Sequence, residues 1–103
     1  MLKTSLVIAA AALSTSPALA AKPTHYVGQE LAVTARVPIA KAQAIALHAR
    51  AGTITDRELE KEGGGSGLRY SFDILSHGKT YEVGVDARTG KVLENAAEGK
   101  NPD

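Results

Sequence analysis

Residues 68–86 read LRYSFDILSHGKTYEVGVD. Leu68, Tyr70, Phe72 and Ile74 alternate with Arg69, Ser71 and Asp73. After a short polar stretch, Tyr81, Val83 and Val85 alternate with Glu82, Gly84 and Asp86. A period of two is that of a strand with one buried face. Taking His77-Gly78 as the two-residue loop of a hairpin sets the register: Ile74 faces Tyr81, Phe72 faces Val83 and Tyr70 faces Val85. All three apolar pairs then share one face, which a slip by one residue would destroy. The other face sets Arg69 against Asp86, a favourable pair, and Asp73 against Glu82, an unfavourable one. That outer face is therefore either wet or supplied with a cation shared by Asp73 and Glu82.

Downstream, Asp86-Ala87-Arg88-Thr89-Gly90 reads as a turn in which Asp86 accepts from the amides ahead of it and Gly90 takes positive φ. Val92 and Leu93 return as a short last strand, and residues 95–103 form a polar tail expected to be disordered. Upstream lies Gly63-Gly64-Gly65-Ser66-Gly67. A phosphate cradle needs a helix after such a loop, and a strand follows here, so the expectation is a mobile hairpin tip. In residues 53–62 (TITDRELEKE), Ile54 and Leu59 are five apart, which no regular strand places on one face. A bulge or a bend near Asp56 would reconcile them, and the flanking glycines favour strand over the competing helix.

Residues 41–51 (KAQAIALHARA) are the clearest helix, with Ala42, Ile45, Ala46 and Ala49 on one narrow face. Gly52 stands where a left-handed terminator is wanted. Leu47 points the other way, and the arm at residues 26–37 is expected to shelter it. Residues 29–36 could form an extended arm, since Leu31 and Val33 alternate, or a short helical turn, which their propensities favour, and Pro38 disfavours helix at Val37.

The first twenty residues read as an export signal: Lys3, the apolar run at residues 6–13, then Ala18-Leu19-Ala20 as a small-x-small cleavage site. The run is too short for a bilayer, which needs about 20 apolar residues. Cleavage after Ala20 leaves 83 residues with 11 basic and 11 acidic side chains, a neutral domain bound for the periplasm or the medium. Its 32 hydrophobic residues include 12 alanines, enough for a thin core. The chain has no cysteine, so it forms no disulfide, thiolate nucleophile or Cys-based metal site. The formal charge of +1 on 103 residues gives no basic stripe for nucleic acid.

No catalytic constellation stands out. His25, His48 and His77 show no metal-ligand spacing, and Ser76-His77 are turn neighbours that build no nucleophile–base–orienter set. Residues 58–62 (ELEKE) read as a solvated acidic strand. The expectation is no enzyme, no cofactor and no metal ligands.

In order of elements and in motif, residues 39–93 resemble the PepSY family. The alanine-rich helix, Leu59-Glu60-Lys61-Glu62 before the glycine loop, and the central hairpin are similar to its elements. Val85-Asp86-Ala87-Arg88-Thr89-Gly90-Lys91-Val92-Leu93 is the nearest match, to the closing signature V-D-A-x-T-G-x-V-L. Ala40 stands where the family usually has a Ser or Thr cap, so a frayed helix start is expected. Arg50-Ala51 stand where it often has a proline, which would let the helix run one residue further.

The resemblance implies an α+β fold, one main helix packed across an antiparallel sheet of three to four strands. The division is a signal peptide at 1–20, an arm at 21–38, the PepSY-like domain at 39–94 and the tail at 95–103. It also implies a non-enzymatic binding module with no membrane span in its mature chain, whose partner is an envelope or secreted protein and which would inhibit or regulate a peptidase in trans. The candidate contact is the polar sheet face of Arg69, Ser71, Asp73, Glu82 and Gly84, or a sheet edge. The alternative is a periplasmic protein that handles a small ligand or a metal through Asp73, Glu82 and nearby imidazoles. Self-association stays open.

Overall fold

The computed structural model describes residues 25–99, so the export signal expected at residues 1–20 lies outside the described residues. The elements are a 3-10 turn Gln29–Thr34, helix α1 (Ile39–Ala49) and strands β1 (Thr53–Lys61), β2 (Leu68–Ser76), β3 (Lys79–Asp86) and β4 (Val92–Ala97). The strands form one antiparallel sheet in chain order, and α1 lies against β2, β3 and β4. This is the α+β architecture of one helix across a sheet, with four strands.

The central hairpin has the expected register, including Tyr70 opposite Val85, Phe72 opposite Val83 and Ile74 opposite Tyr81. His77 (φ 51) and Gly78 (φ 79) are both left-handed, the geometry that matches a two-residue loop to the twist of its strands. On the inner face Tyr70, Phe72, Ile74, Val83 and Val85 are buried with Leu59 of β1 and with Ile39, Ala42 and Ala46 of α1. Ile45 and Ala49 pack half-buried at the margin. Alanines at the contact let the helix backbone approach the sheet closely.

A bulge between Ile54 and Asp56 resolves the odd spacing in β1. Thr55 is the extra residue, so Ile54 faces Ile74 and Leu59 faces Tyr70 on the same side. Arg57 shares that side, and its Nε donates to Gln43 Oε1 on the helix.

Several local expectations are corrected. The helix occupies Ile39–Ala49, two residues earlier at each end than the sequence suggested. Its N-cap is Pro38, whose carbonyl accepts from Lys41 and Ala42, both at 3.0 Å, so Ala40 already lies inside the helix. The helix stops at Arg50, which is extended (φ −146), and gains no extra residue. Gly52 serves close packing instead: a Cβ there would lie 2.3 Å from Leu75 O. The 3-10 turn rests on β1, and Leu47 is half-buried against the core. Val27 bridges to Glu58 in parallel, and its carbonyl accepts from Leu59 N at 2.8 Å.

The last strand also runs further than Val92-Leu93. Asn95, Ala96 and Ala97, assigned to the tail from sequence, pair with Val83, Glu82 and Tyr81. Asn95 Nδ2 donates to Ala49 O at 3.2 Å, and Arg50 Nε donates to Asn95 Oδ1 at 3.1 Å. The Arg50 guanidinium also stacks over Tyr81, 3.7 Å from the ring centre. A polar residue in an apparent tail thus ties β4 to the helix C-terminus.

Candidate functional site

The outer sheet face carries the chemistry. Alternation along β1, after the bulge, sends Asp56, Glu58 and Glu60 outward, and Glu62 follows just past the strand. β2 adds Ser71 and Asp73, β3 adds Glu82, and β4 adds Glu94, with Glu98 immediately beyond. These nine residues line one hollow of about 330 Å³. Eight of the chain's 11 acidic side chains are therefore gathered on one face of a formally near-neutral protein.

Crowding of like charge shows in their protonation. Partial burial, the Glu98 charge with its hydrogen bond, and Asp56 together push Asp73 up to about 6. Partial burial pushes Glu82 up to about 7, helped by Glu94, Asp73, Glu60 and Glu98. One carboxylate oxygen from each of Asp73, Glu82 and Glu98 lies within 4.8 Å of the other two. Ser71 Oγ donates to Glu60 Oε2 at 2.7 Å, which holds Glu60 in place.

Of the residues proposed from sequence, Ser71, Asp73 and Glu82 do line this hollow. Arg69 and Gly84 are buried and do not line it. Arg69 is buried with its side chain over Gly84, where a Cβ would lie 3.2 Å from Nη1. It pairs with Glu94 at 3.4 Å and donates to Gly63 O at 3.0 Å, while its buried Nε has no acceptor among the described residues. Arg69 is opposite Asp86 in register, yet the ion pair forms with Glu94. None of the three imidazoles joins the acidic group. His25, His48 and His77 are exposed, on the arm, the helix and the hairpin loop.

Asp86 has a different task. Its carboxylate accepts from Ser66 N (2.6 Å), Ser66 Oγ (2.8 Å), Arg88 N (2.8 Å) and Thr89 N (3.1 Å). Burial opposes its ionisation, but the hydrogen bonds from Ser66, Arg88 and Thr89 prevail and hold it down at about 2. The glycine loop, expected to be a mobile tip, is thereby docked over the end of β3. Gly65 (φ 57) leaves room for this, since a Cβ would lie 2.3 Å from Asp86 Oδ2. The neighbouring Ala87 carbonyl accepts from both Arg36 N and Val37 N at 2.9 Å, and Tyr70 Oη donates to Val37 O at 2.7 Å. The turn thus gathers the glycine loop, the hairpin and the arm at one corner.

The sequence reading named Asp73 and Glu82 but left out Glu94 and Glu98, because it ended the sheet too early. Residues 58–62 form the solvated acidic strand expected of them, and the period-two spacing of Glu58, Glu60 and Glu62 puts all three around the hollow.

Fold and site define a small helix-on-sheet module whose distinctive surface is acidic and whose polar turn residues are structural. Residues 36–95 match the family model of PepSY, the peptidase propeptide and YPEB domain. That is more than half of the 103-residue chain, and the protein belongs to the PepSY family. No curated protein and no solved structure matches it. Among the described residues, no helix is long and apolar enough to cross a membrane.

Proposed function

We propose that this chain is a non-enzymatic, exported binding module that restrains or regulates a peptidase in trans, with the acidic outer sheet face as its contact surface. The observation that carries the reading is the collection of eight carboxylates around one hollow, on a face that no other element covers among the described residues. Like charges held together raise the free energy of the isolated domain, and a basic partner surface would relieve it. Membership in a family described by peptidase propeptides supports a peptidase as that partner. The export signal read at residues 1–20 supports a meeting outside the cytoplasm. Capture on the mature chain from an envelope extract of the source organism tests the reading. A peptidase recovered at stoichiometric yield is expected; repeated recovery of none overturns it.

A second reading rests on the Asp73–Glu82–Glu98 group. Three carboxylates converging within 4.8 Å suit a hard divalent cation that takes oxygen ligands. Thermal unfolding with calcium, magnesium or manganese added decides it. A rise in melting temperature that Glu82→Gln abolishes supports cation handling; unchanged melting ends it.

A further inference from the structure

The two edges of the sheet are treated differently. The arm bridges the edge of β1 at Val27–Glu58, and Gly28 packs so closely that a Cβ would lie 1.8 Å from Leu59 O. Among the described residues nothing pairs with the far side of β4. Glu98 N donates to Thr80 O at 2.9 Å, so by antiparallel alternation the amides and carbonyls of Asn95 and Ala97 point away from β3. Asn95, Ala96 and Ala97 are exposed, and two of the three side chains are methyl groups that leave the backbone accessible. The segment contains no proline and no lysine, the usual guards of an exposed edge. It is also held ready as a strand, because the Asn95 side chain is bonded to Ala49 O and to Arg50 Nε.

We propose that the open edge of β4 receives an extended segment of the partner by strand addition, the segment presenting lysine or arginine at alternate positions toward the acidic face. This rests on reading the chain as a binding module. Backbone pairing with Asn95 and Ala97 supplies the attachment, and side-chain charge supplies the choice of segment. A residue of the added strand on the outer side meets Glu94 or Glu98 as a cross-strand neighbour. Between them stands Ala96, opposite Glu82 in register, so a long basic side chain passes over its methyl toward the Glu82 carboxylate. The same charge disfavours a second copy as occupant. Two β4 strands paired about a twofold axis would continue both acidic faces into one another and set Glu94 and Glu98 of one copy against those of the other.

The test is a binding titration of the mature protein with a labelled synthetic peptide of alternating lysine and valine, beside a peptide of equal composition with lysines and valines in separate blocks. Amide shifts mapped on the wild-type protein should centre on residues 93–97, and the block peptide should bind about tenfold more weakly or worse. Ala97→Pro removes an outward N–H without touching the β3 ladder, so it should weaken the alternating peptide by a similar factor while leaving the urea midpoint close to wild type. Equal binding of the two peptides, or shifts confined to β1, would overturn the proposal even if the proline variant folds poorly. So would self-association that Ala97→Pro abolishes, because the occupant would then be a second copy. No peptidase enters this assay, so its failure and a failed envelope capture are separate results.

Discussion

The Asp86 carboxylate holds Ser66 twice, through the backbone N–H at 2.6 Å and the hydroxyl at 2.8 Å, across 20 residues of chain. One buried anion thereby fixes the glycine loop over the sheet while its other bonds fix the turn at Arg88 and Thr89. Hydrogen bonds from Ser66, Arg88 and Thr89 offset the cost of burying its charge, and among the described residues the ion pair is made elsewhere, by Arg69 with Glu94.

Asp86→Ala should therefore cost about 2–4 kcal/mol, since it removes four hydrogen bonds that converge on one buried carboxylate. Ser66→Ala removes the hydroxyl bond and keeps the amide, and should cost about 1 kcal/mol. Urea unfolding of the two variants beside wild type checks both values and their order.

Gly28 sits at φ 83 against the β1 backbone. Gly28→Ala should lift the arm from β1 and leave the sheet intact. Amide hydrogen exchange at Leu59 N–H, which is bonded to Val27 O, should speed up markedly. Exchange at the β2–β3 ladder should barely change. Equal acceleration in both places would mean that the arm and the sheet unfold as one unit.

Stability should fall as the solution is taken from mildly acidic to neutral pH. Asp73, pushed up to about 6, and Glu82, pushed up to about 7, hold their protons more tightly folded than unfolded, where carboxyls titrate near about 4. Their contribution is full below about pH 4 and is lost as pH rises through about 6 and 7. Asp86 acts the other way: its contribution is present above about pH 4 and is lost as pH falls through about 2. The urea midpoint should accordingly peak in the mildly acidic range. Glu82→Gln should flatten the decline toward neutrality and be more stable than wild type at pH 7. A wild-type midpoint that rises from acidic to neutral pH would contradict this account.

Much of the fold was readable because the hairpin is overdetermined: three apolar pairs, a two-residue loop and the Asp86–Gly90 turn all agree on one register. An irregularity in β1 was readable for a similar reason, since no regular strand places Ile54 and Leu59 on one face, and the register shows that of a bulge or a bend it is a bulge. The end of the sheet was not. Asn95, Ala96 and Ala97 carry no apolar pattern, and what makes them a strand is distant, the pairing with β3 and the Asn95 bonds to the helix end. The site suffered from the same error. Glu94 and Glu98 belong to the acidic face only because β4 continues, and the charge on β1 meets theirs only across the whole sheet. Arg69 was misplaced because register fixes which backbones are opposite, whereas a long side chain reaches the next strand but one. The docking of the glycine loop was hidden too, because a run of glycines looks the same whether or not a distant carboxylate holds it.

The most direct test of the acidic face as the contact surface is a paired capture from envelope extract, using wild type and the isosteric triple variant Asp56→Asn, Glu58→Gln, Glu82→Gln. The variant keeps the fold and relieves the charge crowding, so it should melt no lower than wild type. The account predicts a peptidase at stoichiometric yield on wild type, and a yield lower by about tenfold or more on the variant at the same salt. Equal recovery of the peptidase on both proteins would contradict it.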